Sequence, residues 1–80
     1  MGDFQPIESS NLEAAAYDER AATLTVKFRG GATYIYRQVL KSLWIQFSSL
    51  FDGRRGSAGQ FFNRHIRSLP NEKVEEEDND

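Results

Sequence analysis

The sequence predicts an α+β domain: a three-stranded antiparallel meander, then two helices, then a disordered acidic C-terminal tail. Two alternating apolar runs meet at a glycine pair. An apolar stripe at three- and four-residue spacing follows them, and the chain ends in a run of acids. With 80 residues and no cysteine, one compact core is all the chain can build, held by packing without disulfides or a thiolate metal site. The reading divides the chain into a flexible N-terminus (1–8), the domain (9–70) and the tail (71–80).

Local pattern leaves the first strand open to a helix as well, because Leu12-Glu13-Ala14-Ala15-Ala16 has the propensity of a helix start. The run is too short to sustain a helix before Tyr17-Asp18-Glu19-Arg20, which reads as a turn. From Thr23 to Arg29, Leu24, Val26 and Phe28 alternate with polar residues, the period-two mark of a half-buried strand. Gly30-Gly31 supplies the positive φ that a tight hairpin needs, and Thr33 to Arg37, with its aromatic and β-branched residues, returns as the next strand. A meander of this size needs a helix on one face. Leu40, Leu43, Trp44, Phe47, Leu50 and Phe51 form that cover, with Ile45 outside the stripe. Asp52-Gly53 stops the helix, a second short one carries Phe62 and Ile66 on one face, and Pro70 ends it.

Tyr34 and Tyr36 point to the same side of their strand. A two-residue loop would leave them open beside Thr25 and Lys27, as a stacking platform with a cation at its edge. A three-residue loop would set Tyr34 opposite Phe28 and Tyr36 opposite Val26. That arrangement gathers more apolar area on one side and is the one burial favours.

Charge is uneven. Between Ser9 and Asn71 nine basic residues face four acids, whereas Glu72 to Asp80 holds six acids and one lysine. The tail reads either as a solubilising segment or as an intramolecular competitor for a basic surface. In the domain, Gly53-Arg54-Arg55-Gly56 lies between the two helices, where glycines let a backbone approach phosphate and guanidinium groups bind it in bidentate fashion. A helix–GxxG–helix element also clamps nucleic acid in KH domains, although the strand order here does not match theirs. Arg64 and Arg67, three residues apart on the second helix, are the supporting cations.

Enzymatic chemistry finds little support. His65 is the sole histidine, flanked by Arg64, and the serines have no partner set. No residue is expected to be catalytic, no metal-ligand spacing or nucleotide fingerprint occurs, and neither a cofactor nor a small-molecule substrate is implied. The N-terminus has no basic, apolar leader, and no stretch suits a membrane span, so a cytoplasmic location is the expectation.

Ser9-Ser10-Asn11, Tyr17-Asp18, Leu24-x-Val26-x-Phe28, Gly31, Tyr34-x-Tyr36, Val39 and Ser57-x-Gly59-x-Phe61-Phe62-Asn63-x-x-Ile66-Arg67 together resemble the KTSC domain. The family is named for its occurrence at the C-terminus of some lysyl-tRNA synthetases and also includes small stand-alone bacterial and phage proteins. The resemblance runs from about Ser9 to Arg67 and implies RNA binding. Two departures stand out: Leu40 replaces the proline usual after the valine, and the Phe51–Gly56 connection is several residues longer than usual.

Two functional expectations follow. One is a module for RNA or another single-stranded nucleic acid using Arg54, Arg55, Arg64, Arg67, Lys27, Tyr34 and Tyr36. The other is a protein-interaction module, a regulator or homodimer, using Trp44, Ile45 and Phe51 together with the acidic tail.

Overall fold

The computed structural model describes residues 4–74. Its sheet is antiparallel throughout, with strands in chain order: β1 (Gln5–Pro6), β2 (Leu12–Asp18), β3 (Thr23–Phe28), β4 (Thr33–Tyr36) and β5 (Asn71–Lys73). Between β4 and β5 run α1 (Lys41–Ser48), α2 (Ala58–Phe61) and a π-helical turn (Phe62–Ile66) that continues α2.

The sheet therefore has five strands instead of the expected three. The two outer strands come from segments that the sequence assigns to the termini. Each is too short and too polar to carry a period-two signal, and both are fixed by tertiary pairing. Gln5 pairs with Ala15 and Pro6 with Ala14, after which Ile7 is buried and its N–H donates to the Glu13 carbonyl. Asn71 pairs with Tyr36 and Lys73 with Tyr34, and the Val74 N–H donates to the Thr33 carbonyl. The acidic residues 75–80 of the expected tail lie outside the described residues.

The alanine run of β2 is strand because small side chains are what its position admits: Ala15 and Ala16 are buried, and Ala15 lies opposite Val26. Packing overrides helix propensity here. The β2–β3 turn is closed by the Asp18 carboxylate, which accepts from the Arg20 and Ala21 N–H groups.

At the β3–β4 hairpin the loop is Arg29–Gly31, with the Phe28 N–H donating to the Ala32 carbonyl. Tyr34 consequently lies opposite Val26 and Tyr36 opposite Leu24, a register two residues away from the expected one. The tyrosines still share the face of Leu24 and Val26. The reason lies in the third loop position, which takes a left-handed conformation: Gly31 (φ 105°) supplies it there, whereas the expected register would have placed Ala32 in that position.

The helices cover that face of the sheet. Phe47, Leu12, Leu24, Val26, Val39, Phe62 and Ile66 are core, and the Tyr17 hydroxyl donates to the Val39 carbonyl at 2.7 Å while its ring stacks on Trp44. Leu40 does not join the stripe. It caps the start of α1 with extended backbone (φ −70°, ψ 153°) and is 68% exposed. That φ is already proline's. Leu40→Pro is therefore expected to raise stability by roughly 0.4–1 kcal/mol through the unfolded chain's entropy, read as a higher urea midpoint with an unchanged slope. A lower midpoint would show that the Leu40 side chain or N–H is needed. Among the described residues, no helix is long and apolar enough to cross a membrane.

Candidate functional site

At one end of the helix-covered face, four aromatic rings close a cycle. Phe28 packs edge-on against Tyr34 (5.8 Å between centroids) and Phe62 (5.5 Å). Tyr36 completes it against Phe62 (5.2 Å, edge-on) and Tyr34 (6.3 Å). These rings line a cleft of about 490 Å³, within the range of ligand sites. Its polar lining residues are Asn11, Asn63, Asn71 and Arg67, and among the described residues no acid lines it.

Each polar group is placed by local structure. Asn11 is held on both sides of its backbone: its N–H donates to the Ser9 hydroxyl and its carbonyl accepts from the Arg29 N–H. The Arg29 side chain donates in turn to the Ser9 and Ile7 carbonyls, tying the hairpin loop to the chain before β2. Asn71 opens β5 beside Tyr36, and its side-chain amide donates to the Leu69 carbonyl. Arg67 depends on the π-helical turn. In an α-helix Phe62 and Arg67 would point about 140° apart, but here the Arg67 N–H bonds to the Phe62 carbonyl, five residues back. The wider turn brings Phe62, Asn63 and Arg67 to one cleft, in keeping with the frequency of π turns at functional sites.

Tyr36 is buried, and burial pushes its phenol above the ordinary value of 10.0; neighbouring Tyr34 adds to the rise and Arg67 opposes it. A raised folded value means that this phenol's contribution to stability is intact below pH 10 and is lost as pH climbs from there toward the folded value. Between about pH 9 and about pH 11, Tyr36→Phe is expected to lose less stability than the parent chain in denaturant titrations. An equal loss would show that Tyr36 does not contribute.

The nucleic-acid candidates divide among four places. Tyr34, Tyr36 and Arg67 meet in the cleft. Arg55 and Arg64 line a second, smaller pocket with His65, while Arg54 is exposed in the loop and lines neither. Lys27 is on the opposite face of the sheet, its ammonium 4.3 Å from the centre of the Phe4 ring. Of the aromatic helix set, Phe51 is buried against Trp44 and Phe47, Trp44 is half-buried, and Ile45 is exposed. The three asparagines were not singled out by sequence. Asn11 and Asn63 stand inside recognisable motifs, but nothing in their spacing announces that they converge.

The chain matches the family model of the KTSC domain over residues 8–68. It is 54% identical to a protein of Tsukamurella paurometabola over 64 residues, which is 80% of this chain and 88% of that one. Its fold is similar to the crystal structure of a KTSC domain protein from Yersinia pestis, with a TM-score of 0.83 and 28% identity over 94% of this chain and all of the other. All but one of the residues lining the cleft, Asn71 excepted, belong to the motifs by which the sequence resembles that family. From the family match and this relative, the chain belongs to the KTSC domain family.

Proposed function

We propose that the aromatic cleft binds one unpaired nucleotide of a single-stranded nucleic acid, RNA in the first instance. What carries the reading is the combination in one cleft of a four-ring aromatic wall, three asparagines and Arg67, with no acid lining it among the described residues. An aromatic surface suits the face of a base. Carboxamides donate and accept at its edge, and a guanidinium binds the phosphate that follows. Arg67 in the lining favours a neutral or anionic ligand. The function proposed is binding without catalysis, since base stacking, edge hydrogen bonds and a phosphate contact use no reacting group.

The test is a fluorescence-anisotropy titration of labelled single-stranded RNA at two salt concentrations, using the full chain and a form ending at Val74, which keeps β5 intact. Binding is expected to weaken with salt by about 0.7 log units per log unit of salt for each phosphate neutralised, and to strengthen in the shorter form if residues 75–80 compete. No binding by either form at low salt would end this reading.

A second reading rests on one observation: Leu40 at the cap of α1 and Ile45 on the helix are exposed, and Trp44 is half-buried. Such a patch suits a protein partner or a second copy of the chain. Sedimentation of the parent chain and of Ile45→Lys separates these outcomes.

A further inference from the structure

The loop between α1 and α2 is held in a conformation that ordinary residues adopt poorly. Gly53 has φ 73° and Gly56 φ 157°, and a β-carbon on Gly53 would sit 3.4 Å from that of Glu8. The Asp52 carboxylate accepts from the Arg54 N–H, and the Ser57 hydroxyl caps α2 by accepting from the Gln60 N–H. This frame brings Arg55 to the lining of a pocket of about 230 Å³ that Arg64 and His65 also line. The floor is apolar. The His65 ring lies on Phe61 (4.5 Å), which stacks on fully buried Phe47 (5.8 Å, 19°), so the histidine rests on the core.

No carboxylate lines this pocket, and neither Arg55 nor Arg64 is in an ion pair among the described residues. From Phe51 to Asn71 the sole acid is Asp52, whose carboxylate already accepts from the backbone, against four arginines. Two guanidiniums without an ion-pair partner among the described residues, together with an imidazole, form a donor set for a phosphate group at this small concavity.

This pocket and the aromatic cleft flank one helical segment: Phe61, Arg64 and His65 face the pocket, and Phe62, Asn63 and Arg67 face the cleft. We infer that the pocket is a phosphate-binding site that takes the backbone phosphate of a nucleotide neighbouring the one whose base enters the cleft. The inference rests on the nucleic-acid reading for the source of the phosphate. A helix is about 10–12 Å across with its side chains, so the phosphate belongs to a neighbouring nucleotide and not to the one in the cleft. A strand gripped on both sides of the segment is positioned without its sequence being read at the second point.

The experiment uses the full chain, labelled with nitrogen-15, titrated with inorganic phosphate and with chloride at matched ionic strength. Phosphate is expected to give saturable shifts at Arg55, Gly56, Arg64 and His65. Arg64→Gln should abolish that saturation and Arg67→Gln should leave it in place. Equal shifts in chloride, or none at these residues, would overturn the site.

The second arm adds a short single-stranded RNA. It is expected to displace the phosphate, and the Arg55→Gln/Arg64→Gln pair should flatten the salt dependence of RNA binding by about 0.7 log units per phosphate lost. An RNA that shifts cleft residues but not the pocket would overturn the shared strand and leave the cleft's function standing. Saturation by phosphate with no response to RNA in either place would overturn the nucleic-acid source and the cleft reading together.

Discussion

Phe47→Ala is expected to cost about 3–5 kcal/mol, the usual result of truncating a fully buried phenylalanine. Phe47 has no exposed surface and packs against Phe51 (4.8 Å), Phe61 (5.8 Å) and Phe62 (6.3 Å). At roughly 0.05–0.15 kcal/mol per residue, a domain of this length holds about 4–12 kcal/mol in all. One truncation therefore removes a large part of it. Urea unfolding should show the midpoint falling by about half or the cooperative transition disappearing. Phe47→Leu should recover most of the loss, since it refills most of the cavity. A midpoint within experimental error of the parent would place the centre of the core elsewhere. Function is coupled to this packing: Phe47 supports Phe61 beneath the pocket and Phe62 beside the cleft, so Phe47→Leu, although folded, should bind RNA more weakly than the parent chain.

How much of this was legible in the sequence depends on how local the determining interaction is. The β3–β4 hairpin, the apolar face of Leu24 and Val26, and the α1 cover were readable because period-two and period-three-to-four patterns express one buried face. The exact register was not, because it turned on which loop residue adopts the left-handed angle, and Gly30 and Gly31 are equally capable of it. β1 and β5 left no pattern at all. Gln5–Pro6 and Asn71–Lys73 are exposed and short, and they become strands only through the edges of β2 and β4. Similar logic governs the site. Tyr34, Tyr36 and Arg67 were identifiable one by one from residue chemistry. Their meeting with Asn11, Asn63 and Asn71 is a product of topology, and the π-helical turn that aims Arg67 has no sequence signature of its own. Charge counting grouped Arg54, Arg55, Arg64 and Arg67 as one patch. The helical segment instead separates Arg67 from Arg55 and Arg64, because Arg64 and Arg67 lie on different sides of a turn that is not α-helical.

Tyr34→Ala is expected to weaken RNA binding roughly 5- to 150-fold, the equivalent of about 1–3 kcal/mol for one base stacked on an aromatic ring. Tyr34 and Phe28 are the half-buried members of the four-ring cycle, whereas Tyr36 and Phe62 are buried, so Tyr34 is the tyrosine with surface to offer. Tyr34→Phe keeps the ring face and should bind within about threefold of the parent, since a stacked base does not use the hydroxyl. Arg67→Gln should weaken binding and also reduce the salt slope by about 0.7, because it removes one phosphate contact. Lys27→Ala is the internal control. It deletes the same unit of charge from the opposite face of the sheet, where Lys27 covers Phe4, and should change affinity little. If binding were driven by net charge alone, Lys27→Ala and Arg67→Gln would weaken it equally and Tyr34→Ala would leave it intact. That pattern would remove the cleft from the mechanism. A loss confined to Tyr34 and Arg67, with circular dichroism unchanged in every variant, would localise recognition to the cleft where the family's motifs converge.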